Sequence, residues 1–262
     1  MSSEYKITRN IEVTSSTKLN ASIWVALARG AKVKYSLEPN FVSDTQRANI
    51  ANWEIKEGTK WAVEIQEQVD SFPQPPKLEP GEYLALDKDL IAPSKAIQEK
   101  AKSLMGSNIT DTINNIANYL VKELKYQHPP EFRDATTVFN TKQSDCGGYH
   151  TLLVSMLRSL NIPSVVDFGM RLPKYTPHVW AWYYNKDSKK WEFIDINDIQ
   201  DNKTALNRVS YSLGVNPVVK EFPAKVQFIQ NILIWDFNFE KNKVNKTPVL
   251  HKNNTIVKKL KT

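Results

Sequence analysis

The hydrophobic period of this chain changes across one proline-rich stretch, and that change sets what each side can fold into. Ahead of it the pattern is that of strands. Lys6–Val13 alternates with Ile7, Ile11 and Val13 on one face, Ile23–Ala28 is a short apolar run, and Trp61, Val63 and Ile65 alternate again. Short strands between polar turns predict a small β-sandwich-like domain over residues 1–72. Ser71–Gly81 then packs four prolines and a glycine into eleven residues, and 73–81 reads as a linker. Beyond it the spacing is helical over Ser94–Leu104 and Thr110–Leu124, where Ile113, Ile116, Ala117, Leu120, Val121 and Leu124 form one stripe. Val226–Phe237 reads as one or two buried strands. Residues 82–240 are thus expected to form a second, mixed domain, with 241–262 as a tail.

Charge follows the same division. The seven lysines 241, 243, 246, 252, 258, 259 and 261 lie in an end segment with no acid; removing them from the 35 basic residues leaves 28, against 28 acidic ones. A formally neutral body argues against the broad basic face that nucleic acid requires. The tail is expected to be solvated, and could touch an anionic partner. No apolar run approaches a membrane span, and Met1–Lys6 lacks the apolar stretch of a secretory leader. The expected compartment is cytoplasmic, or an exported one with the leader removed.

The single cysteine, Cys146, excludes an internal disulfide framework and any multi-cysteine zinc site. It precedes Tyr149, Leu152, Leu153, Met156, Leu157 and Leu160, which recur at helical intervals. Ser144 or Asp145 suits the N-cap, and Asn161-Ile162-Pro163 ends the run. Cys146 therefore falls in the first turn, where the helix dipole favours a thiolate. Asp145 acts in the opposite sense. Gly147 and Gly148 cost about 1 kcal/mol each against alanine in a helix; their expected use is to let a substrate backbone approach the sulfur.

Downstream, His178, Trp180, Trp182 and Tyr184 alternate on one strand, and Trp191, Phe193 and Asp195 on a second, with Asn185–Ser188 as the turn. A turn centred between Lys186 and Asp187 makes paired residue numbers sum to 373 and sets His178 opposite Asp195. Directly opposed side chains are about 5 Å apart at Cβ, close enough for an imidazole–carboxylate hydrogen bond. A two-residue slip would set Asp195 against Trp180 instead. Thiol, imidazole and carboxylate in that order suit nucleophilic catalysis: acid orients base, and base serves sulfur.

Four segments resemble the transglutaminase-like superfamily, which also covers many microbial proteins described as cysteine proteases. They are Asp145–Gly148, Leu157–Pro163 (its "R-x-x-G-I-P" turn, with Asn161 for glycine), His178–Trp180 and Trp191–Asp195. The likeness is specific from about Gln143 to Asn197 and extends weakly back to Tyr83. It implies an α+β fold: a papain-like core with the cysteine helix on an antiparallel sheet, behind the β-rich domain. It also implies Cys146 as nucleophile, His178 as base and acid, and Asp195 as orienting carboxylate. The amide of Cys146 is the first oxyanion donor to expect, with Gln143 and Tyr126 as candidates for a second.

Other features carry less. His150, one helical turn after Cys146, is expected to line the pocket or cap the core. Trp180 suits a substrate groove or the core. The oxygen-rich run Asp195–Asp201 lacks the loop glycine and final glutamate of an EF-hand, so no metal and no cofactor are expected. The expected activity is acyl transfer or hydrolysis on peptide or glutamine amide bonds through a Cys146 thioester, protease- or amidase-like, with a protein or peptide as substrate. A cross-linking transglutaminase and a catalytically silent scaffold are the alternatives.

Overall fold

The computed structural model describes residues 3–44, 47–77, 79–85, 88–127, 134–202, 207–214, 232–236 and 249–260. The first part of the chain is strands: β1 (Glu4–Leu27), β2 (Lys32–Tyr35), β3 (Phe41–Asp44) and β4 (Asn49–Asp70). A 3-10 turn at Pro80–Ala85 leads to α1 (Lys88–Ile91), α2 (Lys95–Ser103) and α3 (Ile109–Glu123). Then follow β5 (Lys125–Tyr126), α4 (Ala135–Thr141), β6 (Gln143–Ser144), α5 (Cys146–Ser159), β7 (Ser164–Arg171), β8 (Thr176–Asn185), β9 (Lys190–Ile194) and α6 (Ile196–Gln200). β10 (Arg208–Leu213), β11 (Ile232–Asp236) and β12 (Val249–Lys259) complete the order.

The mixed half is built on α5. Asp145 caps it, accepting from the amides of Gly147 and Gly148 at 3.0 and 3.2 Å. Asn161, in the left-handed region at φ 60°, ends it while Ile162 N–H reaches back to the Leu157 carbonyl. Apolar side chains cover this helix on all sides, so it is buried: Leu152, Leu153, Val154, Met156 and Leu157 are each 0% exposed. On one side lie Ile113, Ile116, Ala117 and Leu120 of α3; on the other, Val179, Ala181 and Tyr183 of β8. That strand belongs to an antiparallel sheet of order β10-β7-β8-β9. Together these make the α+β core expected from the sequence.

Strands β1 and β4 pair along most of their length, and the sheet they start takes in β2, β3, β11 and β12. Ile7, Ile11 and Val13 are buried on one face as alternation implies, and Ile23, Val25, Trp53, Val63 and Ile65 join the core. Two sequence expectations change here. The C-terminal segment is not a free end over 249–260, although its described side chains stay in reach of solvent: β12 pairs with β1 from Tyr5 opposite Lys259 to Ser15 opposite Val249, because it satisfies an edge that β1 would otherwise expose. Of Val226–Phe237, β11 covers 232–236 and pairs with β1; 226–231 and 237 lie outside the described residues, as do 241–248.

The two sheets meet directly. Tyr5, Ile7, Ala26, Ala28 and Val69 pack with Met170, Leu172, Val209 and Tyr211. Backbone bonds of 2.8 Å join Arg29 N–H to the Ser210 carbonyl and Arg208 N–H to that of Ser71. Arg29 also donates to the carbonyls of Gln74 and Pro75, so the proline-rich segment is laid against the joint. Beneath it Asp167, 0% exposed, accepts from the indoles of Trp180 and Trp182 at 2.9 Å each and from Ser210 at 2.5 Å, with Arg29 at 3.9 Å. Burial pushes this carboxyl up to about 6 against the pull of Arg29 and the donors. Gly169 sits where an added Cβ would fall 2.0 Å from the Val209 carbonyl oxygen and 2.4 Å from Trp180.

The β8–β9 register differs from the sequence expectation by the two-residue slip. Ala181 pairs with Ile194, Trp182 with Phe193 and Tyr184 with Trp191, so numbers sum to 375. The loop is longer than a two-residue turn: Asn185 Oδ1 accepts from the amides of Asp187 and Ser188, and Lys189 adopts φ 53° to bring the chain back.

Asp167→Ala should strand two buried indole donors and remove the carboxylate opposite Arg29. A loss of about 3–5 kcal/mol in unfolding free energy by urea titration is expected; a loss below about 1 kcal/mol would show that this carboxylate does not hold the joint.

Candidate active site

The site forms where β9 stops. Its last pair with β8 is Ala181–Ile194, so Val179 and His178 lie past the ladder on a length of β8 that β9 leaves uncovered. Asp195 does not stay in the sheet. It turns out of the strand at φ −131°, ψ 109° and becomes the N-cap of α6. The start of α5 comes against the same uncovered edge.

Asp195 is 3% exposed, and its two oxygens have separate partners. Oδ1 accepts from the amides of Asn197 and Asp198 at 3.0 and 3.3 Å, which is the cap. Oδ2 meets His178 Nε2 at 2.7 Å and Arg208 Nη2 at 2.5 Å. Imidazole and carboxylate therefore do meet, but diagonally across the strand end rather than by the direct opposition expected. Burial pushes the Asp195 carboxyl up, yet the His178 hydrogen bond and nearby positive charge outweigh it and hold it well below the usual range.

Three residues that sequence reasoning missed surround this pair. Arg171, at the end of β7, places Nη2 2.8 Å from His178 Nε2, 3.0 Å from Asp198 Oδ1 and 3.4 Å from Asp195 Oδ2. Arg208, fully buried, also bonds Asp198 Oδ2 and lies over the rings of Phe193 and Trp180. Asp198, three residues after the cap on the same helical turn, offered a sequence signal of sorts; the arginines come from other strands and offered none. Burial lowers the His178 imidazole, Asp195 raises it, and the two arginines lower it again.

Cys146 opens α5, with its thiol half-buried. The backbone N–H of Val179, on the uncovered edge of β8, faces its sulfur and pulls the thiol down. Among the described residues no hydrogen bond joins Cys146 to His178, the neighbour of Val179. Burial first, and Asp145 next, push the thiol up to about 11, against the Val179 amide. The helix dipole thus does not prevail over burial, and Asp145, which caps the amides of Gly147 and Gly148, adds to the upward push. Tyr126 reaches Cys146 from β5, its hydroxyl meeting both the thiol and the amide; burial and this contact push it up to about 12. Gln143 lies beside it on β6, paired with Lys125 and exposed.

The remaining candidates are structural. His150, 0% exposed, sets Nδ1 2.7 Å from the Cys146 carbonyl and Nε2 3.1 Å from the Ile196 amide. One nitrogen must donate and the other accept, so the ring is a neutral brace between α5 and α6, lowered to about 4 by burial. It does not line an open pocket. Neither does Trp180, buried with Tyr83, Val165, Trp182 and Leu213. Gly147 and Gly148 are both buried; at Gly148 a Cβ would fall 1.9 Å from Ser144 Oγ and 2.8 Å from Val138, so helix packing rather than substrate approach requires that glycine. Among the described residues no three His, Cys, Asp or Glu side chains are grouped to hold a metal ion, and no helix is long and apolar enough to cross a membrane.

Residues 97–196 match the family model described as the transglutaminase-like superfamily. A solved structure of a putative cysteine protease from Cytophaga hutchinsonii superposes with a TM-score of 0.58 at 13% identity, covering 100% of this chain and 92% of that one. At that identity the likeness is one of fold. The periplasmic domain of TgpA from Pseudomonas aeruginosa gives a TM-score of 0.41 at 12% identity, covering 72% of this chain and 94% of that one. A search of curated proteins returns no match.

If Asp145 keeps the thiol neutral, iodoacetamide labelling of Cys146 should keep accelerating as pH rises toward about 11. Asp145→Asn, which can still cap the helix, should speed labelling at pH 8 by roughly three- to tenfold. An unchanged rate would show that the carboxylate has no hold on the sulfur.

Proposed function

We propose that this chain, whose residues 97–196 match the transglutaminase-like superfamily model, is a cysteine-dependent hydrolase of peptide or glutamine amide bonds. The observation that carries the reading is the 2.7 Å contact of His178 with Asp195 at the strand edge whose next amide holds the sulfur of Cys146. With Nε2 turned to Asp195, Nδ1 is the nitrogen left to serve the thiol. Sulfur attacks the amide carbon while its proton passes to Nδ1. Collapse of the adduct breaks the C–N bond, and the proton leaves on the amine. Water then cleaves the thioester, giving a carboxylate and returning a proton to sulfur. The Cys146 amide and the Tyr126 hydroxyl are the proposed oxyanion donors, with Gln143 the second candidate; the substrate carbonyl would take the place Tyr126 holds against that amide.

Hydrolysis is preferred over cross-linking because two carboxylates of the oxygen-rich run, Asp195 and Asp198, are already engaged and so are not open to a calcium ion. Asp195 caps α6 and pairs with His178 and Arg208, while Asp198 pairs with both arginines, leaving those carboxylates committed to cations of the chain itself. A silent scaffold is the second reading, and the neutral thiol favours it. An enzyme of this design would form its thiolate only as the proton is drawn onto His178, which a scaffold never needs to do.

Mass spectrometry of casein incubated with the protein, with and without a primary amine, separates these readings. New peptide termini or deamidated glutamines that vanish in Cys146→Ala, and fall about 100- to 10,000-fold in His178→Ala, are expected. Amine incorporation without new termini would favour the transglutaminase; no product that depends on Cys146 would leave the scaffold.

A further inference from the structure

We propose that Arg171 is a positioning residue that keeps the His178 imidazole uncharged while the site is empty. This rests on the enzymatic reading above and concerns the control of the same site. A guanidinium is charged at every working pH, and that of Arg171 stands 2.8 Å from the ring nitrogen that also faces Asp195. A lone carboxylate beside an imidazole would favour imidazolium, which cannot accept a proton from a thiol. Here the carboxylate is not left to do so.

The charges around the ring balance. Asp195 and Asp198 face it from the start of α6, Arg208 from β10 and Arg171 from β7. From α5 come His150, a neutral brace, and Cys146, a neutral thiol; from β5 comes the un-ionised Tyr126. Two anions therefore meet two fixed cations, and a charged His178 would be a third cation in a buried site. The two arginines differ in one respect. The Arg208 side chain is 0% exposed, whereas that of Arg171 is 22% exposed, at the mouth of the cluster. Asp198 keeps Arg208 when Arg171 is removed, so the second cation can be deleted without leaving a buried carboxylate alone.

The test is the titration of His178 by NMR in full-length protein labelled at histidine, with its signal identified by loss in His178→Gln. Arg171→Met should raise the midpoint by about one pH unit, a tenfold change in protonation, and Arg171→Lys by less than about half of that. Should Arg171→Met not fold, Arg171→Gln removes the charge while retaining a donor and carries the same comparison. A midpoint within about 0.2 units of wild type in a folded, charge-free variant overturns the inference, since a merely structural arginine would alter the urea midpoint and not this one. The titration needs no turnover. Lack of a Cys146-dependent product from casein would sink the enzymatic reading alone, and an unmoved midpoint would sink this one alone.

Discussion

Asp195 does two jobs that an extended strand could not combine. Its backbone leaves β9 so that one carboxylate oxygen can close the amides at the head of α6, while the other oxygen points back to His178 and Arg208. Because the strand ends there, the neighbouring length of β8 loses its partner. The vacated edge supplies the Val179 amide to the sulfur and brings His178 beside it. Helix cap, strand end and site are one event in the chain. An aspartate serves this purpose well, since its short side chain both favours the cap position and stays ionised among donors.

The electrostatics that follow are those of compensation rather than activation. Asp195 and Asp198 are matched by Arg171 and Arg208, while burial and Asp145, the cap of α5, push the thiol up. Papain-like sites are often pictured as a standing thiolate–imidazolium pair. Here burial raises the Cys146 thiol, and burial with the two arginines lowers the His178 imidazole against Asp195, so both influences disfavour that charged pair. Tyr126 rests against both the thiol and the amide of Cys146.

Much of this was legible in the sequence, and the limits have physical causes. The helical stripe of α5, its cap and its left-handed terminator at Asn161 are local patterns and read directly. The alternation of β8 told which residues share a face. It could not tell the register, because that depends on loop length, and the Asx turn at Asn185 with left-handed Lys189 makes a loop longer than the shortest one allowed. His178 and Asp195 still met, since the capping geometry of Asp195 recovers diagonally what the slip removed. Arg171 and Arg208 were invisible for a different reason. Charges that meet across three strands leave no periodic trace, and a lysine-rich end gives no hint that part of it is zipped into a sheet.

Gly169 links the two halves of the protein to the chemistry between them. It pairs with His178 across β7 and β8, and β10 passes so close that the Val209 carbonyl fills the space a side chain would need. A methyl group there would act as a wedge, prising β10 away and carrying Arg208 with it. The histidine's acid partner would then lose its anchor through a change that touches neither of them. Thus the smallest residue in the sheet sets the spacing between β7 and β10, and a substitution there would reach Asp195 by leverage through Arg208 rather than by contact.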